Sequence, residues 1–417
     1  MKNKIKALVR ERLSGRRIIL FGAGEIAEEF YEQYGASLNI SHCVSNYQKE
    51  WGEAAFMGKL DVKKYVRSEI QENDYIIVCG PIAFRDIELQ LITDDMCMYE
   101  DYVESHIAGA IMENKKIALF YGQCNLRDIY QCLIQVQAFN EEYASVFTQT
   151  IPKLTAVMNR VLYYMKDISD LYVYTPKLLD RDSIYSLSPE DLPNDCQVVS
   201  ISNLVMALYW PQVDTKLGHF NDWYLYSYNS KRGLKRHPDF YHTLYRHEDR
   251  NIIRMIQEGK TVEEVVDVLS SENFYSEKEV LRNRNITLKL VDISESKIDI
   301  TVSDFIKDNY DRKMLYQNFA HPNKVIIWEY VSRFLSRIGV SVQEVENLEK
   351  HSPEHIHHGG DVPIYPSVAK HLKLEFIHED MKYEIMTGNG IVYMNFREYM
   401  THFAEYTQKV MEIFRMW

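Results

Sequence analysis

Apolar positions near the start of the chain fall in short unbroken runs separated by polar turn residues. Arg17–Phe21 (RIILF) has the pattern of a buried strand and runs straight into Gly22-Ala23-Gly24-Glu25-Ile26-Ala27, then a helical stretch over Glu28–Tyr34. A second apolar run, Leu38–Val44, follows at the distance of a βαβ unit, and Asp74–Cys79 (DYIIVC) ends at Gly80-Pro81 like another parallel strand. Alternating strands and helices at this spacing predict a doubly wound, Rossmann-like α/β domain over residues 1–110. A short amphipathic helix leads into its first strand, and IAGAIMENKK near residue 110 reads as a connection.

A new strand at Lys116–Tyr121 (KIALFY) meets Gly122-Gln123-Cys124-Asn125. It passes into an amphipathic helix with Leu126, Ile129, Leu133 and Val136 on one face. A further helix is expected over Lys153–Lys166, and strands at Leu171–Tyr174 and Gln197–Ile201. From Arg250 the pattern turns helical. Thr261 with Glu264, and Ser276 with Glu279, have capping-box spacing. His321-Pro322-Asn323 is expected to open another helix, with His321 as its N-cap, Pro322 in its first turn and Gly339 as its stop. Asn395–Phe414 reads as a final amphipathic helix. Residues 111–417 thus read as a larger, helix-rich α/β domain with a parallel sheet, without internal repeats.

Composition narrows the class. Of 417 residues, 46% are hydrophobic and 26% charged, the mix of a globular protein. No run approaches the roughly 20 apolar residues of a membrane helix. The basic first residues lack the apolar core and cleavage site of a signal peptide. Six cysteines with no CxxC spacing argue against a disulfide framework or a structural zinc site. A cytoplasmic location is the expectation. A net charge of −12 speaks against nucleic acid as a partner. The 30 tyrosines suit a carbohydrate or nucleotide surface without proving either.

Several groups are candidates for chemistry. The Gly22-Ala23-Gly24-Glu25-Ile26 turn lets backbone approach a pyrophosphate ahead of a helix N-terminus. Ser45-Asn46 stands where an NAD site places its acidic ribose ligand, so a tight turn with another ligand, or none, stays open. Cys124, between a parallel strand and a helix, sits at the positive end of a helix dipole, where a thiolate is favoured. A buried packing cysteine is the plain alternative. His321 is an unfavoured N-cap, which leaves it open to proton transfer or to being a simple turn residue. Ser303-Asp304 reads as a cap and a first-turn carboxylate. Lys231-Arg232-Gly233-Leu234-Lys235-Arg236-His237 is either a phosphate clamp or a solvated loop. The His351–Gly360 run, rich in histidine, proline and glycine, reads as a loop without metal-ligand spacing.

Together these residues resemble the WcbI family of capsular-polysaccharide biosynthesis proteins over roughly residues 114–410. The resemblance rests on the strand leading to Gly122-Gln123-Cys124-Asn125, the helical block ending in Ser303-Asp304-Phe305-Ile306, Phe319-Ala320-His321-Pro322-Asn323, and Pro363-Ile364-Tyr365-Pro366-Ser367-Val368. Two stretches depart from the family. Asn and Gln are exchanged around Cys124, and the family's aromatic-Gly-Tyr-His-Pro-Asp stretch appears as Leu208-Tyr209-Trp210-Pro211-Gln212-Val213-Asp214. The first hundred residues resemble, more weakly, the Rossmann-like domain that precedes many sugar acyltransferases and holds a nucleotide-sugar.

The resemblance implies a coenzyme A-dependent acyltransferase, moving an acetyl group from acetyl-coenzyme A to a sugar or glycan precursor without a metal. Cys124 and His321 are then the catalytic candidates. Gly122, Gln123, Asn125, Arg127, Lys231, Arg232, Lys235, Arg236, His237, Asn323 and Lys324 are the substrate- and cofactor-binding candidates. Gly22, Gly24, Glu25 and Ile26 form the nucleotide-binding turn. Two rivals stay open: a glycan esterase or deacetylase using Cys124 and His321, and a non-catalytic scaffold that binds a nucleotide or coenzyme A. A homo-oligomer is also open.

Overall fold

The computed structural model describes residues 1–80, 86–149, 165–176, 187–202, 206–213, 249–356, 360–387 and 390–415. The chain divides into two compact units, Met1–Asn203 with Leu335–Val342, and Leu204–Phe334 with Gln343–Trp417. The α/β class and the parallel sheets expected from the sequence are present.

In the first unit, a helix over Lys2–Gly15 leads into β1 (Arg17–Phe21), and the helix Glu25–Tyr34 connects to β2 (Ile40–Ser45). Then come β3 (Gly52–Phe56), β4 (Leu60–Lys64), β5 (Asp74–Val78) and β6 (Tyr102–Glu104), giving the sheet order β3-β4-β2-β1-β5-β6. All pairs are parallel except β3 with β4. Every residue of β5 is buried, and so are the last four of β1, which is why both read as unbroken apolar runs. β3 and β4 left no such trace, because GEAAF at the sheet edge and LDVKK beside it are mostly exposed. The segment read as a connection near residue 110 is instead mostly the helix Ser105–Met112. It packs closely because Gly109 lets Tyr34 approach: a Cβ there would stand 2.8 Å from the Tyr34 hydroxyl.

A second, four-stranded parallel sheet follows in the same unit. It comprises β7 (Lys116–Gly122), β8 (Tyr143–Gln149), β9 (Leu171–Tyr174) and β10 (Gln197–Ser200), in the order β10-β9-β7-β8. The helix Cys124–Leu133 turns the apolar face predicted for it, with Leu126, Ile129 and Leu133, into the core. The helix expected over Lys153–Lys166 lies outside the described residues but for its last two.

In the second unit, helices at Arg250–Gln257, Val262–Leu269, Glu277–Glu295, Ser303–Asn309, Val345–His351, Pro366–Leu372 and Phe396–Arg415, with all but the last residues of Lys324–Ile338, carry most of the described structure. Both predicted capping boxes form: Thr261 with Glu264 and Ser276 with Glu279. Ser303 is not a cap. It is the first residue of its helix, and the buried carboxylate of Glu295 accepts from the N–H groups of Val302 and Ser303. Asp304 is the first-turn carboxylate expected from the sequence, and it also makes a two-pronged ion pair with Arg333. Two small antiparallel pairs complete the unit, β11 (Tyr316–Asn318) with β12 (His321–Pro322), and β13 (Tyr383–Thr387) with β14 (Gly390–Met394).

Candidate functional sites

β7 ends at Gly122, Gln123 takes extended backbone angles, and Cys124 is the first residue of the helix that follows. Gly122 is demanded by packing. A Cβ there would come within 2.6 Å of Leu126 Cδ2 and 3.1 Å of Thr175 Oγ1. Arg127 lies against Asp128, with guanidinium nitrogens 3.3 and 3.4 Å from Oδ1, and the Asp128 carboxylate is fully buried. Asn125 is buried, and its Oδ1 lies 3.8 Å from Cys124 Sγ.

The Cys124 thiol is half-buried, and its pKa is raised, not lowered. Burial is the largest cause and the Asp128 carboxylate the next, while the Asn125 backbone and Arg127 pull the other way more weakly. The thiolate expected from the helix dipole is therefore not the resting state. Desolvation and a like charge one turn on outweigh the dipole here.

In the second unit, His321 does not cap a helix. Pro322 pairs with Tyr316 across β11–β12, and the helix begins at Lys324. Asn323 stands in front of it. Its backbone carbonyl accepts from Ile326 and Ile327, and its Oδ1 from the Lys324 N–H. Asparagine is a favoured cap, so the strand pairing and the cap divide the work and His321 is left to other tasks. The His321 ring is buried, with Nδ1 3.0 Å from Asn318 Oδ1. The same oxygen accepts from the backbone N–H groups of Ala320 and His321, both at 3.0 Å, while Asn318 Nδ2 donates to the Gly360 carbonyl at 3.1 Å.

Asn323 and Lys324 are both engaged by one carboxylate. Asn323 Nδ2 donates to Glu354 Oε1 at 3.3 Å, and Lys324 Nζ stands 3.0 Å from Glu354 Oε2. Close by in sequence, His355 Nε2 lies 3.5 Å from Asp361 Oδ1. Asp361 Oδ2 accepts from the Glu384 backbone N–H at 2.7 Å. Burial lifts the Asp361 carboxyl to about 6, with His355 opposing and the Glu384 and Glu354 carboxylates adding to the rise. Among the described residues no set of three His, Cys, Asp or Glu side chains is grouped as a metal site.

At the C-terminal edge of the first sheet, Gly22, Gly24, Glu25 and Ile26 line a cleft of about 500 Å³ between β1, β2 and β5. Gly22 has φ +119°, and a Cβ on it would collide with the Cys79 carbonyl oxygen, so the close strand ends require glycine. Gly24 faces open space. Glu25, Glu50, Asp86 and Glu88 all border the cleft, and among the described residues that line it none is basic.

Lys231, Arg232, Lys235, Arg236 and His237 lie outside the described residues, as do His357, His358 and Gly359. Sequence reasoning passed over Asn318 and Asp361, and took Glu354 only as part of the His351–Gly360 loop. The one local signal was Asn318 itself, since asparagine commonly turns its side chain onto N–H groups two and three residues ahead.

A family model described as the polysaccharide biosynthesis enzyme WcbI matches residues 121–343. One similar solved structure is that of WcbI, described as a novel polysaccharide biosynthesis enzyme in its native form without a disulfide bond between COA and one of its cysteines. It is 15% identical, with a TM-score of 0.52, and the match covers 71% of this chain and 90% of that one. At that identity the likeness speaks to the fold. No curated protein matches the chain.

Proposed function

The chain belongs to the WcbI family of polysaccharide biosynthesis enzymes, and from that premise we propose that it transfers an acyl group from coenzyme A to a sugar hydroxyl. The acyl group is acetyl in this reading, and the acceptor a glycan precursor of a surface or capsular polysaccharide in the cytoplasm. His321 is the proposed general base. The observation that carries this is its buried ring, relieved of any capping duty and held through Nδ1 by Asn318.

Coenzyme A, when bound, supplies the acyl group as an activated thioester. The described residues near Cys124 suit an anionic ligand in part. Among the described residues no side-chain hydrogen bond caps the start of the helix Cys124–Leu133, though Arg127 in its first turn is already paired with the Asp128 carboxylate. His321 would take the proton from the attacking sugar hydroxyl at Nε2 as the hydroxyl oxygen bonds to the acyl carbon, and would give it to the thiolate that leaves when the acyl carbon–sulfur bond breaks. The raised Cys124 pKa favours this direct transfer over prior acylation of the thiol, because a protonated thiol is a weak nucleophile. The cleft at Gly22, Gly24, Glu25 and Ile26 is a proposed second ligand site. Its four carboxylates suit hydroxyls better than a diphosphate.

The test is acetyl transfer from acetyl-coenzyme A to glycan precursors, read by mass spectrometry. Native protein is expected to transfer, Cys124→Ser to retain most of the rate, and His321→Ala to lose it. Release of acetate from acetylated glycans without coenzyme A would replace this reading with the hydrolase. A Cys124→Ala, His321→Ala double variant that still supports polysaccharide assembly in cells would replace it with a scaffold. Coenzyme A at millimolar concentration should also raise the melting temperature, since a ligand that binds only the native state stabilises it.

A further inference from the structure

We infer that Asn318 is a positioning residue that holds His321 with its proton on Nδ1 and its basic lone pair on Nε2. This rests on the reading of His321 as the base.

The Asn318 amide can sit only one way round, because its oxygen and nitrogen have different partners that each allow a single role. The backbone N–H groups of Ala320 and His321 can only donate, and both point at Oδ1. The Gly360 carbonyl can only accept, and it faces Nδ2. An exchanged amide would set two donors against an NH2 group and one carbonyl against another. The network therefore fixes Oδ1 as an acceptor toward the ring.

The His321 tautomer follows. Nδ1 lies 3.0 Å from that same Oδ1, a hydrogen-bonding distance. With the proton on Nδ1 the pair is a donor and an acceptor. With the proton on Nε2, two lone pairs would face each other in a buried setting. The neutral ring is thus held as the Nδ1–H form. A base acting through Nε2 needs this form, because the other carries a proton where it should accept one. Two elements lock Asn318 in turn. It ends β11, and its Nδ2 bond ties it to the Gly360 carbonyl, beside the Asp361–Glu384 backbone bond of 2.8 Å.

The experiment pairs nitrogen NMR of the histidine rings with kinetics, using the full chain. In native protein labelled with ¹⁵N-histidine, His321 is expected to show Nδ1 protonated and Nε2 unprotonated above its pKa, assigned by loss of the signal in His321→Gln. Asn318→Ala should release the ring to a mixture of tautomers and lower kcat by about 10- to 100-fold, the usual cost of losing such a partner, with KM little changed. Asn318→Asp keeps an acceptor oxygen toward Nδ1 but sets its other oxygen against the Gly360 carbonyl, so it should restore the tautomer and only part of kcat. A native His321 with its proton on Nε2 would overturn the inference, even if Asn318→Ala fails to fold. So would an Asn318→Ala protein that keeps the native tautomer, or the native kcat. If native protein transfers no acyl group at all, the functional reading fails separately, and the nitrogen shifts still decide what Asn318 does to the ring.

Discussion

The carboxylate of Asp128, one helical turn on from Cys124, opposes ionisation of the Cys124 thiol. Burial contributes most to the raised thiol pKa and Asp128 contributes next, while Arg127 beside that carboxylate offsets only part of it. Helix position alone would have argued for the opposite direction. Replacing Asp128 by Asn removes the like charge without changing the side chain's shape, so the pKa should fall and the thiolate fraction at neutral pH should rise. Well below the pKa, thiolate grows in direct proportion to the acid dissociation constant, so even a modest fall is visible in a rate. Iodoacetamide labelling of the Cys124 peptide between pH 6.5 and 9 should run severalfold faster in Asp128→Asn than in the native chain. In the native chain, exposed Cys97 should label ahead of Cys124, and Cys132, buried with its thiol pushed up to about 12, behind it. Equal rates for Cys124 in the two proteins would clear Asp128 of this role.

Gly122 and Gly24 should respond to alanine in opposite ways. A methyl group at Gly122 would sit 2.6 Å from Leu126 Cδ2 and 2.9 Å from Leu126 Cβ, forcing β7 and its helix apart. Overpacking of that kind costs about 1–3 kcal/mol. At Gly24 nothing lies within 4 Å, and φ is −99°, so alanine there should leave stability within about 0.5 kcal/mol of native. Urea denaturation of the two variants measures both. Equal stability would mean that β7 and Leu126 can part at little cost.

What the sequence made legible follows from burial on both faces. β1, β5 and β7 are wrapped by helices, so their positions read as continuous apolar runs, and the capping boxes at Thr261 and Ser276 are strictly local signals. Edge strand β3 and its neighbour β4 escaped notice because mostly exposed strands carry no such run. His321 was misplaced as a cap. Proline at the next position suits a first helical turn and an edge strand alike, and only the pairing with Tyr316 decides between them. Asn318, Glu354 and Asp361 come to their partners through contacts across 3 to 42 residues, and a periodicity reading cannot carry those.

Charge around the first cleft makes a prediction about dinucleotides. Ser45 donates to Glu50 at 2.5 Å, so the end of β2 carries a carboxylate after all, but it faces the same cleft as Glu25, Asp86 and Glu88. A pyrophosphate would meet like charges, each pair costing on the order of 1–4 kcal/mol at 4 Å before screening. Millimolar NAD or NADP should therefore leave the melting temperature unchanged. A clear NAD-dependent rise would show that the helix N-terminus at Glu25 outweighs the carboxylates.

Asp361 gives the fold a pH dependence whose sign can be worked out. Its carboxyl titrates near 6 in the folded chain against 3.8 ordinarily, chiefly because it is buried. The folded state therefore holds that proton more tightly than the unfolded state does. The stabilisation is complete below about pH 3.8 and is lost as the pH rises through about 6. His355, 3.5 Å away, works against the rise, and the Glu384 and Glu354 carboxylates work with it. Across that window the contribution is on the order of 1–3 kcal/mol. Asp361→Asn cannot ionise, yet its Oδ1 can still accept from the Glu384 N–H. Its stability relative to the native chain should therefore climb between pH 4.5 and pH 7, by urea titration at a series of pH values. The difference, not either curve alone, is the measurement, because carboxylates away from Asp361 titrate equally in both proteins. A difference that stays level across the series would place the Asp361 pKa at its ordinary value and make the His355 contact an ordinary ion pair.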